Sequence, residues 1–164
     1  MYIPYEQLSD QATVWTYLAD RPVSEHQEEI TNILRAFCEK WNSHGAPLQT
    51  SFTILHDQLI VLAADEAHLP SGCSIDSSVA QIRELENKFG LSLLDRSQAG
   101  VYIAGQVHRY PLLSFKHLIQ VQDVQPDTLL LNPMVKTKAE LAEKGLIKAK
   151  ESWLSRHFET KHVI

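Results

Sequence analysis

Cysteine is scarce in this chain: Cys38 and Cys73 are the two present among 164 residues, they lie 35 positions apart, and neither belongs to a CxxC pair. That excludes a disulfide framework and fits free thiols in a reducing compartment. Long apolar runs are also missing. The longest, Leu59 to Ala64, falls far short of the roughly 20 residues that a membrane-crossing helix needs. The opening Met1-Tyr2-Ile3-Pro4-Tyr5-Glu6 has neither the basic leader nor the apolar stretch of a secretory signal. A cytoplasmic location without a membrane partner is therefore expected. Basic charge is in deficit as well, with 15 Lys/Arg against 20 Asp/Glu and a net charge of −5. From Lys136 onward seven Lys/Arg face four Asp/Glu, a balance of +3, which leaves −8 on the residues before it. An acidic body argues against a nucleic-acid binder, whose affinity rests largely on neutralising phosphates. The basic tail reads as a solvated face, one packed on the acidic body, or a docking segment for an acidic partner.

What is present is ordinary globular material, 44% apolar and 21% charged, in a length suited to one domain with a core that needs no staple. No repeat, low-complexity stretch or Gly/Ser linker divides it. We therefore expect one domain over 1–164, with a core over 1–121 and a C-terminal extension over 122–164.

Val14 to Ala19 is rich in β-branched and aromatic residues and reads as a strand. Ser24-Glu25-His26-Gln27 has the form of a capping box, and behind it Ile30, Ile33, Leu34, Phe37, Cys38 and Trp41 recur at helical spacing. Leu48, Thr50, Phe52 and Ile54 then alternate with polar residues as in a half-buried strand, with a tight turn at Asp57-Gln58. Leu59 to Ala64 is apolar without interruption, the mark of a central strand covered on both faces. A second helix carries Ile75, Val79, Ile82, Leu85 and Phe89 on one face and ends at Gly90. Leu91 to Asp95 and Val101 to Ala104 are short β-prone stretches, a last strand or hairpin. Pro111 suits the first turn of a helix. The order strand, helix, strand, strand, helix, strand predicts an α+β domain with a ferredoxin-like βαββαβ sheet. In the extension, Thr128 to Leu131 reads as an added edge strand broken by Asn132-Pro133, Thr137-Lys138-Ala139-Glu140 as a second capping box, and Ile147 to Phe158 as a final helix.

The most unusual segment is Gly72-Cys73-Ser74-Ile75-Asp76-Ser77-Ser78, small and polar residues at the mouth of the second helix. Free amides and the positive end of the helix dipole favour an anion or a thiolate there. Cys73 as nucleophile, Asp76 as orienter and His68 or His44 as base would form a catalytic set, with Gly72, Ser74 and Ser77 holding a small anionic ligand. The same residues have a purely structural reading, in which Ser71 or Ser74 caps the helix, Asp76 complements its dipole and Cys73 fills space. Cys38 shares a stripe with Phe37 and Trp41 and belongs to the core. The eight histidines show no HxxxH or HExxH spacing and no cysteine partner at ligand spacing. Only folded proximity of His44, His68, Cys73 and Asp76 would build a metal site, so no metal and no cofactor is expected. Trp153 and Arg156 would lie one turn apart on a terminal helix, placed to stack on a ligand or to anchor the helix to its own domain.

Gly72-Cys73-Ser74-Ile75-Asp76-Ser77-Ser78-Val79, with Ile82 and Leu85-Glu86 after it, resembles a family of uncharacterised bacterial proteins of about this length. The resemblance extends over Tyr2-Ile3-Pro4-Tyr5, the Trp15 strand, Trp41-Asn42-Ser43-His44-Gly45 and Glu151-Ser152-Trp153. Members often carry the automatic label "ABC transporter ATPase". An ATPase of that kind needs a phosphate-cradling GxxxxGK[ST] loop, and no such loop exists here: Lys136-Thr137 follows Asn132-Pro133-Met134-Val135 without the glycines. The family resemblance thus implies no mechanism. A ferredoxin-like sheet often leaves one face open for a partner or a ligand, which favours a small ligand-binding or protein-interaction module acting as a homodimer, with the Cys73 enzyme as the alternative.

Overall fold

The computed structural model describes residues 1–43, 46–65 and 72–159, and of residues 43, 46, 47 and 72–74 the backbone alone. The chain is an α+β protein with two main antiparallel sheets. The first contains β1 (Thr13–Leu18), β2 (Gln49–Leu55) and β3 (Leu59–Asp65), with β3 in the middle. Trp15 pairs with Leu62, and Thr53 with Val61. Helices α1 (Gln27–Lys40) and α2 (Gly72–Phe89) cover one face. There Ile30, Leu34 and Cys38 of α1 and Ile82 and Leu85 of α2 close over Tyr17, Phe52, Ile60, Leu62 and Ala64. The opposite face of β3, Leu59, Val61 and Ala63, packs on the second sheet together with Val14, Val107, Leu131 and Leu141. Two covered faces explain the unbroken apolar run: in a strand alternate side chains point opposite ways, so burial on both sides demands apolar residues at every position. Each fully buried leucine or isoleucine in such a strand contributes about 1.5–3 kcal/mol.

The second sheet has the order β5-β4-β6-β7, from β4 (Gln98–Ile103), β5 (Gln106–Pro111), β6 (Leu129–Leu131) and β7 (Leu146–Lys148). Its outer face, with Ala99, Val101 and Leu130, is covered by Phe115 and Leu118 of α3 (Phe115–Gln120) and by Val124, Ala149 and Leu154. A further helix, α4 (Lys138–Lys144), begins at the Thr137 capping box. Thr137 Oγ1 accepts from the Glu140 N–H at 3.1 Å, and the Glu140 carboxylate accepts from the Lys136 N–H at 2.9 Å.

In a ferredoxin-like sheet the strand after the second helix would lie beside β1. Here β4 is hydrogen-bonded to β5 and β6 instead. The free edge of β1 is taken by residues 136–138, through Val14 N–H to Lys136 C=O at 3.0 Å and Lys138 N–H to Ala12 C=O at 2.9 Å. The outer edge of β2 is covered by the N-terminus, with Ile3 N–H bonded to Thr50 C=O at 2.9 Å. Both edges of the first sheet are thereby covered at one end, near Thr13 and near Thr50.

Several local expectations are corrected. Ser24 does not cap α1: residues 24–26 form a 3-10 turn, with no side-chain cap. Leu91 to Asp95 is a loop rather than a strand, because the Glu86 carboxylate binds the Leu93 and Leu94 N–H groups at 2.7 and 3.0 Å and leaves them unavailable to a ladder. The hairpin instead joins β4 to β5 through Ala104-Gly105, both at positive φ. The tight turn after β2 has His56 and Asp57 at its centre, at φ 55° and 58°, and Val23 N–H to Asp57 C=O and Gln58 Nε2 to Ala19 C=O, each 2.8 Å, tie it down. Thr128 to Leu131 is no edge: β6 lies inside its sheet. Ile147 to Phe158 is no helix either, but the end of β7 followed by two 3-10 turns. Ile75 is 36% exposed rather than core.

Candidate functional site

Where the two sheets part from one another they leave a cleft of about 710 Å³. One wall comes from β1 and β3, through Thr16, Leu18 and Leu59; another from the Leu93 to Gln98 loop and the start of β4; a third from β6, α4 and the turns after β7. Gly100 brings these walls together. A Cβ there would stand 2.8 Å from Leu131 Cδ1, 3.1 Å from Leu131 Cγ and 3.1 Å from Leu18 Cδ2, so only a bare backbone lets β4 approach so closely. Gly145, at the end of α4, is likewise crowded, its would-be Cβ meeting the Leu141 carbonyl.

The loops that line the cleft are fastened from behind. Arg109, its side chain 7% exposed, donates to the Ser92 carbonyl and hydroxyl at 3.0 Å each and lies 3.5 Å from Asp95. Ser97, through its hydroxyl and its backbone N–H, holds the exposed Asp95 carboxyl below the usual carboxylate value, and Arg109 acts in the same direction. Arg96 donates to the Thr16 carbonyl at 2.9 Å and spreads over the Tyr17 ring, 5.0 Å from its centre. On the far side Asn132 Nδ2 donates to Lys144 C=O at 3.0 Å, while its Oδ1 accepts from the Met134 N–H at 3.0 Å. That arrangement fixes Asn132-Pro133-Met134 against the end of α4.

The mouth of the cleft is apolar and open. Leu112 is 41% exposed, Met134 70% and Trp153 41%. Trp153 presents an edge to Phe115 at 6.0 Å between ring centres, so it is anchored on one side and free on the other.

Of the residues singled out from the sequence, Trp153 lines this cleft. Arg156 is exposed on the last 3-10 turn and does not line it; the helix that would have aligned the two does not form. Gly72, Cys73 and Ser74 open α2 as expected, and their side chains, like His44 and His68, lie outside the described residues. The proposed catalytic set therefore lies outside what is described, except for Asp76. Asp76 and Ser77 are exposed on the first turns of α2 and do not line the cleft. Cys38 is buried in the core, and burial pushes its thiol up to about 12, which leaves it unreactive at neutral pH. Among the described residues no three His, Cys, Asp or Glu side chains gather as a metal site, and no helix is long and apolar enough to cross a membrane.

Sequence reasoning missed Gly100, Leu131, Met134 and Leu141 as cleft residues. Gly100, Leu131 and Leu141 lie in three different elements and Met134 in the turn after one of them, so no single periodic pattern connects them. The one visible signal was the Asn132-Pro133 break followed by an apolar Met134.

The fold and the site define an α+β protein of two stacked antiparallel sheets with an apolar cleft between them. Comparison with known proteins finds no matching family model, no matching curated protein and no matching solved structure.

Proposed function

We infer that this protein is a binding module, not an enzyme, and that it holds a small, largely apolar molecule in the cleft between its sheets. The observation that carries the reading is the cleft itself, whose volume lies within the roughly 300–1,000 Å³ of small-molecule sites. Most of its exposed lining surface is apolar, and apolar surface left accessible to water is unfavourable unless something covers it. The resemblance to bacterial proteins labelled as ATPases adds no activity, because the chain lacks the phosphate loop.

The test is titration with 1-anilinonaphthalene-8-sulfonate, following both the probe and tryptophan emission. Saturable binding is expected, with a tryptophan response that disappears in Trp153→Phe while probe emission still rises. Non-saturable binding, or a tryptophan response that survives the substitution, would count against the cleft as the site.

A homodimer is the accompanying proposal, supported by Leu113. This side chain is 98% exposed just beyond the outer strand β5, a cost that burial against a second copy would remove. Sedimentation equilibrium of wild type and Leu113→Asp decides it: a wild type that stays monomeric at high concentration defeats the dimer.

A further inference from the structure

We propose that the occupant of the cleft is a single-chain amphiphile, with an aliphatic tail between the sheets and a zwitterionic head at the rim. The proposal rests on the reading of the cleft as a ligand site and adds the ligand's chemical class.

The tail follows from the walls. Leu18, Leu59, Leu93, Leu131 and Leu141 line the cleft, and among the described residues Trp153 at the mouth is the one aromatic that does. Flat ring systems gain specific energy from aromatic faces and edges. Walls of branched alkyl groups offer dispersion and exclusion of water, and an alkyl chain takes full advantage of both. Such a chain also adapts to the narrow approach at Gly100, where Leu131 and Leu18 close in.

The head follows from the charges. Among the described residues, four ionised ones line the cleft: Asp95, Arg96, Lys144 and Glu151. Asp95 is committed to Ser97 and Arg109, and Arg96 to the Thr16 carbonyl and the Tyr17 ring. Lys144 and Glu151 are exposed and make no ion pair, with each other or with any other described residue. The rim thus presents one cation and one anion that are not engaged. An anionic head would be attracted by Lys144 and repelled by Glu151, and a cationic head the reverse. A head that carries both charges complements both. Because both groups are exposed to water, each contributes little, about two- to five-fold in affinity.

The test uses the full chain and dodecylphosphocholine below its micelle-forming concentration, with binding read by calorimetry and by tryptophan emission. Dodecyl maltoside, dodecanoate and dodecyltrimethylammonium supply the same tail under neutral, anionic and cationic heads, and 1-anilinonaphthalene-8-sulfonate supplies an aromatic body. The zwitterionic amphiphile is expected to bind tightest. Lys144→Gln and Glu151→Gln should each weaken it two- to five-fold and leave the neutral-headed amphiphile unchanged. If the aromatic probe binds and the dodecyl amphiphiles do not, or if all heads bind alike, the ligand class is wrong while the cleft remains a binding site. If nothing binds, both readings fail. Sedimentation with phosphatidylcholine vesicles separates the sources of the head. Release of bound lipid into the supernatant together with the protein supports uptake of single molecules. Co-sedimentation with vesicles without binding of the monomeric amphiphile overturns the proposal in favour of membrane attachment.

Discussion

Replacing Gly100 by alanine tests the geometry of the cleft most directly. The new methyl would sit 2.8 Å from Leu131 Cδ1 and 3.1 Å from both Leu131 Cγ and Leu18 Cδ2, closer than van der Waals contact allows. Overpacking of a well-filled core costs about 1–3 kcal/mol. Two considerations place this case at the low end. Leu18 and Leu131 both border the cleft, so they have open space into which to turn. Alanine also restricts the unfolded chain relative to glycine, which offsets about 0.4–1 kcal/mol. A net loss of about 1 kcal/mol remains, equivalent to a fall of about 2–4 °C in melting temperature for a chain of this size. The displaced leucines occupy part of the ligand's space, so Gly100→Ala should also weaken the anilinonaphthalene probe several-fold. Gly105→Ala is the matched control. Gly105 has φ +80° and nothing within 4 Å of a would-be Cβ, so alanine there costs about 1–2 kcal/mol through backbone strain alone. It should lower the melting temperature by a similar amount and leave the probe affinity intact. Melting curves and probe titrations on the three proteins suffice. Unchanged stability and binding in Gly100→Ala, or equal loss of binding in both variants, would refute the reasoning.

Three further outcomes follow from the same contacts. Glu86→Ala removes the acceptor of two backbone N–H groups that shape the Leu91 to Asp95 loop; a loss of about 1–3 kcal/mol in urea denaturation is expected, together with weaker probe binding, because Leu93 and Asp95 line the cleft. Burial raises the Cys38 thiol from 9.0 to about 12, so the folded state holds this proton more tightly than the unfolded state does. Its contribution to stability is complete below about pH 9 and is lost as the pH climbs toward about 12; Cys38→Ala should flatten the decline in that window relative to wild type, and a decline of unchanged slope would contradict the assignment. Asp57→Gly relieves a left-handed residue, φ 58°, at the centre of a hairpin turn that favours glycine there; left-handed strain of about 1–2 kcal/mol, less about 0.4–1 kcal/mol for the freer unfolded chain, leaves an expected rise of about 0.5 kcal/mol in unfolding free energy, and a fall would show that the Asp57 side chain does more than occupy the turn.

The parts of the fold that were legible from the sequence are those set by neighbouring residues. Ile30, Leu34 and Cys38 recur at helical spacing and do lie inward on α1, because periodicity alone selects the face. Leu59 to Ala64 reads as a doubly covered strand and is one, because the demand for apolar residues at every position is written into the run itself. The Thr137 box likewise draws only on neighbouring residues, 136–140. The partnership of strands was not legible in this way. Nothing local to Gln98–Ile103 tells it to join Leu129–Leu131 rather than β1, or tells residues 136–138 to take the β1 edge. The cleft belongs to this second kind: Leu18, Gly100, Leu131 and Met134 have no common spacing, and they meet only because two sheets stack with a glycine at their closest approach. Periodicity acts over a few residues and so is carried by the chain itself, whereas a site built between layers exists only after distant segments have packed.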